Sequence, residues 1–321
     1  MWVIFRRVSP ALSLIGALLF FWIIAPDRPL TIMDARTILL QASIVCIVAL
    51  GMTLVIAGGG IDLSVGSSVA LAGVIAAKML YTSDRSAGEP SAMHVTLTIL
   101  AAVATGTVCG LYNGLLITAL RLPPFIATLG TLGFFRGVSK WISGSSPVYS
   151  RDGWLEHWVK PTPETAWLLV APVVWLALGL ALFAAFLLHR TVFGRQALAI
   201  GDHEEAARRC GVPITRVKLG LYALCGLLAG IAGVIQFARL GGSGDPTIQA
   251  GLELRAIAAA VIGGASLAGG RASITGTVCG TLLMALLDNR CTALGWPNYV
   301  QEMVVGHIII IAVAIDRWRG R

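Results

Sequence analysis

The stretch AIGDHEEAARRCGVP, Ala199 to Pro213, sets Asp202, Glu204, Glu205, Arg208 and Arg209 within eight residues of a chain that is otherwise overwhelmingly apolar. Hydrophobic residues make up 56% of the 321 residues and charged residues only 12%, against roughly 25% in an average soluble domain. The mean hydropathy is +0.82. A soluble fold of this size has too little charge here to cover its surface. The chain therefore reads as a polytopic membrane protein, and Ala199–Pro213 as an excursion into water.

The net charge of +8 does not call for nucleic acid. Lys and Arg gather in short loops and at the ends, as the positive-inside rule describes, and they do not interleave with aromatics as on a nucleic-acid surface. The six cysteines (46, 109, 210, 225, 279 and 291) form no C-x-x-C pair, and the five histidines no H-E-x-x-H spacing. No metal, cofactor or disulfide is expected from that spacing. Arg6 and Arg7 before an apolar run resemble a signal peptide, but no small-x-small site follows, so the run reads as a retained span.

Apolar windows near the roughly 20 residues that cross a bilayer fall at 8–26, 37–57, 62–81, 93–120, 124–143, 165–188, 215–240, 253–269, 272–289 and 299–316. The expected fold is all-α: one membrane domain over 1–321, with about ten transmembrane helices, Gly-rich and with broken or short helices. An even number of spans puts both ends on one side. Arg6 and Arg7 at one end, and Arg317, Arg319 and Arg321 at the other, make that side cytoplasmic. Alternation then places the loop 189–218 inside too. That loop carries Arg190, Arg195, Arg208, Arg209, Arg216 and Lys218, so charge and parity agree. The loop 144–164, with Trp154 and Trp158, falls outside. Gly106, Gly110 and Gly114, then Gly226 and Gly230, then Gly276 and Gly280, form stripes at four-residue spacing that let helices approach closely.

Within the charged stretch, Asp202 is placed to cap a helix over 203–210, with Glu205 completing a capping box. Gly211 closes that helix and Pro213 stops it. Glu204 and Glu205 lie in the first turn and Arg208 and Arg209 in the last, which suits the helix dipole and forms two i,i+4 pairs of about 0.2–0.5 kcal/mol each. A helix of about 12 Å is marginal alone. Something holds it: a docking partner, its own bundle, or lipid headgroups.

Four stretches, in chain order over roughly residues 35–315, carry a resemblance. They are AGGGIDLSVGSSVALAGVIAA (57–77), GLYNGLLITALRLPPFIATLGTLGFFRGV (110–138), FGRQALAIGDHEEAARRCGVPITRVKLGLY (193–222) and GLELRAIAAAVIGGASLAGGRAS (251–273). Together they resemble bacterial ABC-importer permeases of the ribose/xylose/arabinose type. The resemblance implies a non-catalytic permease subunit of the inner membrane that imports a monosaccharide. It implies a second permease subunit, a cytoplasmic ATP-binding subunit and a periplasmic sugar-binding protein as partners. It makes the helix of Asp202, Glu204, Glu205, Arg208, Arg209 and Gly211 the coupling helix seated on the ATPase. Asp202-His203 stands where the family commonly has Gly-Asn, Arg255 where an acid is usual, and Ala272 where Gly is frequent. The chain has no G-x-x-x-x-G-K-[ST] string, so ATP binding is assigned to the partner.

Other residues admit two readings. Gly58–Gly60 interrupts a span, and Asp62 or Ser64 either caps the helix that restarts or meets substrate. Asn113 either hydrogen-bonds across helices or lines the path of sugar hydroxyls. Phe125 and Thr128, one turn apart after Pro123-Pro124, share a face for packing or for a sugar ring. Glu253 and Arg255, behind the turn-forming GGSGDP, border the outer side, where a binding protein would arrive. An ion-coupled secondary transporter is the competing class, with Asp62 as its intramembrane acid. Branched-chain amino acid or nucleoside permeases are the alternatives within the ABC class. An intramembrane enzyme would need a nucleophile–base set or a metal cluster, and the sequence has no G-x-S-x-G, H-E-x-x-H or paired acids at useful spacing.

Overall fold

The apolar window 37–57 becomes the centre of the bundle. In the computed structural model, which describes residues 2–83, 91–150, 153–162 and 169–319, helix α2 (Ile32–Ala57) is buried at nearly every position from Leu40 onward. An apolar helix with no polar face has no side to give to water and packs in the middle. Its start lies five residues before the expected boundary. The Thr31 side chain accepts the Asp34 N–H while Asp34 accepts the Thr31 N–H, a capping box that fixes the entry.

Each expected window contains a helix. Before α2 comes α1 (Trp2–Ile24), and after it α3 (Val65–Ser83), α4 (Ala92–Ala119) and α5 (Pro124–Ser143). A two-residue strand β1 (Val148–Tyr149) and the short helix α6 (Gly153–Val159) lead to α7 (Pro172–Arg190). The first residues of the window 165–188 lie outside the described residues, as does Arg321. The remaining elements are α8 (Val192–Asp202), α9 (Glu204–Arg209), α10 (Ile214–Arg239), β2 (Ser243–Gly244), α11 (Leu252–Ile262), α12 (Ile274–Ala293) and α13 (Asn298–Arg319). Among the described residues, α2, α4, α7 and α10 are the helices long and apolar enough to cross a membrane by length and composition.

The helix in the window 253–269 covers only its first part. α11 stops at Ile262, before Gly263-Gly264, and its eleven residues reach about 16 Å, half the roughly 30 Å of a hydrocarbon core. The window 62–81 also begins late, because α3 starts only at Val65.

α10 packs against α4 through the glycine stripes. A methyl group on Gly106 would lie 2.5 Å from the Gly230 nitrogen, and one on Gly226 would lie 2.8 Å from the Gly110 Cα. Bare backbone thus meets bare backbone, which gives close packing where no hydrophobic drive acts between helices. Gly276 and Gly280 face α11 in the same way, at Gly263 and Ala259. The turn-forming GGSGDP is partly pinned. Ser243 and Gly244 pair antiparallel with Tyr149 and Val148, and Asp245 accepts the Thr247 N–H and hydroxyl.

Candidate functional site

The loop 189–218 holds two helices, α8 and α9, where one was expected. α8 opens with the Thr191 hydroxyl oxygen accepting the Gly194 N–H at 3.2 Å and remains helical through Asp202. Asp202 is therefore not the cap of α9, because a residue still inside one helix cannot bend to start the next. His203 takes the extended conformation (φ −155°, ψ 97°), and its Nδ1 accepts the Ala206 N–H at 3.2 Å. The expected helix 203–210 covers 204–209, and Glu205 pairs with Arg209 instead of closing a capping box.

The C-terminal end follows expectation. Gly211 has φ +80°, its N–H donates to the Arg208 carbonyl, and the Val212 N–H donates to the Ala207 carbonyl. This is a Schellman motif, and Gly is favoured there because a Cβ is strained at positive φ.

Both i,i+4 ion pairs are present: Arg208–Glu204 at 3.1 Å and Arg209–Glu205 at 2.6 Å. A third partner was not legible in the local pattern. Lys218 Nζ, from the first turns of α10, lies 2.6 Å from Glu204 Oε2. Its hydrogen bond is the main cause holding the Glu204 carboxyl below the usual carboxylate range; Arg208 adds to it and partial burial opposes it. Ala207 is buried against the bundle, while Glu205, Arg208, Arg209 and Cys210 face outward. The bundle thus clamps α9 on one side and leaves a charged face free on the other.

A second constellation lies at the break between α2 and α3. Asp62, 2% exposed, accepts the Ser64 N–H at 2.9 Å and the Ser64 hydroxyl at 2.7 Å on one carboxylate oxygen. Asn113 Nδ2, from α4, donates to Ser64 Oγ at 2.7 Å and to both Asp62 oxygens at 3.2 and 3.3 Å. Thr128 of α5 and Tyr222 of α10 each donate to the Ile61 carbonyl at 3.3 Å. An acid so deep among helices needs this many donors to stay put. The chain is broken here, as expected: Asp62 accepts from Ser64, the residue before α3, and Asn113 bonds across helices. Tyr222 joins from 161 residues away, a distance no sequence spacing reveals.

Phe125 does not share the Thr128 face. Thr128 is 0% exposed and Phe125 54%. α5 turns Thr128, Thr131, Phe135 and Ser139 inward, and Phe125 falls outside that seam. Glu253 and Arg255 are held within the chain. Glu253 Oε1 accepts the Gly251 N–H at 3.2 Å, and Arg255 pairs with Asp288 of α12 at 2.7 Å.

A bundle of apolar helices, four of them long enough to cross a membrane, with a charged helix on its surface fits a membrane transport protein. The family described as branched-chain amino acid transport system / permease component matches residues 35–313, and the chain belongs to it. The ribose import permease protein RbsC of Escherichia coli K12 is 38% identical over 317 residues, covering 95% of this chain and 92% of that protein. RbsC of Bacillus subtilis 168 is 37% identical over 327 residues, covering 98% and 94%. The autoinducer 2 import system permease protein LsrC of Klebsiella pneumoniae is 35% identical over 318 residues, covering 97% and 86%. No solved structure matches the chain.

Proposed function

We propose that this permease is the transmembrane subunit of an ATP-driven importer that carries a monosaccharide across the bacterial inner membrane. The observation that carries the reading is α9: a six-residue helix, clamped by Lys218 from behind and bearing Glu205, Arg208 and Arg209 outward. Near-full-length similarity to two ribose import permeases favours a sugar over the amino acids in the family's description. The autoinducer 2 relative keeps other small polar cargo within reach of the same fold.

In this reading the whole chain is one permease domain of about ten spans, with both termini and α9 on the cytoplasmic side. An ATP-binding subunit seats Asp202, Glu204, Glu205, Arg208, Arg209 and Gly211. A second permease subunit, identical or homologous, completes the channel in the lipid bilayer, and a periplasmic binding protein delivers the sugar. ATP hydrolysis moves the two coupling helices, and the bundle alternates between outward-open and inward-open packings. Asp62, Ser64, Asn113 and Thr128 form the polar knot at the inner end of the α3 half of the break. They meet the sugar path only when α3, α4 and α5 part. Phe125 lies beside that knot on the exposed face of α5, toward lipid or the second subunit.

Vesicle uptake of labelled ribose tests the proposal. Uptake that requires ATP and the binding protein supports it. Uptake that persists with ATP depleted and an ion gradient imposed assigns the chain to secondary transport.

A further inference from the structure

Gly201 lies at a three-way contact of bare backbone. The Gly270 N–H donates to the Ala57 carbonyl at 3.1 Å, so the end of α2 is bonded to the loop between α11 and α12. Gly201, in the last turn of α8, packs onto both partners of that bond: a methyl group on Gly201 would overlap the Ala57 carbonyl oxygen and the Gly270 nitrogen. A methyl on Gly269 would lie 2.5 Å from the Gly201 oxygen, and one on Gly270 2.8 Å from the Asp202 Cα. A methyl on Gly59 would touch the Gly201 Cα at 3.4 Å. Gly269 and Gly270 have φ of +90° and +73°, so the tight turn and the close approach both need glycine.

The contact has short chain connections on two sides. Toward the cytoplasm, Asp202 ends α8 and only His203 separates it from α9. Toward the membrane, Ala57 ends α2. Four residues later the Ile61 carbonyl accepts Thr128 and Tyr222, and Asp62 follows with its Ser64 and Asn113 bonds. The atoms nearest Gly201 and Gly269 at the contact are backbone, and Gly270 meets the Asp202 backbone and Cβ. Backbone touching backbone has no rotamers to absorb a displacement, and close-packed interiors transmit strain.

We propose that Gly201, Gly269 and Gly270 are positioning residues of a backbone joint. The joint carries movement of α9 to the two breaks of the bundle, 58–64 and 263–273. This rests on the reading of α9 as the element on which the ATPase docks. The joint links both breaks to one cytoplasmic helix, so the two shift together.

Hydrogen–deuterium exchange on the wild-type permease in nanodiscs with its ATP-binding subunit tests this. Peptides over 203–213 report docking, and peptides over 54–60 and 266–272 report the joint. Adding the subunit is expected to protect 203–213. A non-hydrolysable ATP analogue is then expected to change exchange at 54–60 and 266–272 together, by at least about threefold. Unprotected 203–213 overturns the docking reading and the joint with it. Protected 203–213 with unchanged exchange at the other two overturns the joint alone. In parallel, Gly201→Ala is expected to co-purify with the subunit while sugar moved per ATP hydrolysed falls about tenfold. Gly179→Ala in α7, where a methyl meets open space, keeps the wild-type ratio. A wild-type ratio in Gly201→Ala also overturns the joint.

Discussion

Asn113 Nδ2 lies 2.7 Å from Ser64 Oγ, and this contact ties the C-terminal part of α4 to the residue before α3. The same amide reaches both oxygens of Asp62. Asn113→Ala removes donors from a buried carboxylate and is expected to cost about 1–3 kcal/mol. Asn113→Asp costs more, because it sets a second carboxylate against the first. Thermal unfolding of the detergent-solubilised protein, followed by size exclusion, measures both. Equal stability of the two variants and wild type contradicts the knot.

Glu204 is the hinge of the α9 clamp. Glu204→Lys leaves Lys218 and Arg208 facing a like charge, while Glu204→Lys with Lys218→Glu restores the 204–218 pair. The single change is expected to weaken ATPase binding at least several-fold and the double change to recover part of it. A double-mutant cycle on subunit affinity reads the coupling. Both side chains are partly solvated, so the pair energy is at the modest end for surface bridges, about 1 kcal/mol or less.

The same carboxylate sets a pH dependence. Its pKa in the fold is lowered by Lys218 and then Arg208, so the folded state favours the ionised form. The stabilisation is complete above the ordinary value of 4.5 and is lost as pH falls through the lowered one. The share of α9 anchoring that Glu204 supplies is therefore expected to weaken only as pH falls below about 4.5. Limited proteolysis between α8 and α10, wild type against Glu204→Gln, follows it. A difference between the two that persists unchanged down to about pH 3 contradicts the assignment to Glu204.

Gly211→Val forces a β-branched residue to φ +80°. A left-handed conformation costs a non-glycine residue about 1–2 kcal/mol, which frays the last turn of α9. Subunit affinity is expected to fall while membrane insertion and bundle stability hold. Gly211→Asn, which tolerates that conformation better, is expected to keep most of the affinity.

Gly110 tests the α4–α10 seam. Gly110→Leu places a side chain into the Tyr222–Gly226 backbone, which has no room for it, and is expected to reduce the yield of folded protein sharply. Gly137→Leu on α5, where a methyl meets nothing within 4 Å, is expected to leave that yield unchanged.

Much of the helical plan was legible because apolar windows and their glycine or proline ends are local signals. Gly58–Gly60 marked the break before α3, and Pro124 the first turn of α5. What escaped depended on partners far along the chain or on two helices competing for one boundary. Asp202 looked like a cap because it precedes Glu205 by three residues. It was claimed first by α8, whose Arg195 and Gly194 hide its apolar face among loop-like residues. Phe125 and Thr128 sit one turn apart, yet only Thr128 falls in the seam that α5 makes with its neighbours. α11 ended early because Gly263 and Gly264 stop the helix, although Ala265 to Leu267 keep the hydropathy high. Tyr222 at the Ile61 carbonyl and Lys218 at Glu204 are contacts that only the packing of α10 creates.

The most direct test of the central claim is the affinity of the purified ATP-binding subunit for nanodisc-held permease, wild type against Glu204, Glu205, Arg208 and Arg209 all changed to Ala. The account predicts that the variant inserts and unfolds like wild type while subunit affinity drops at least about tenfold, 1.4 kcal/mol or more. Equal affinity in a correctly inserted variant contradicts it.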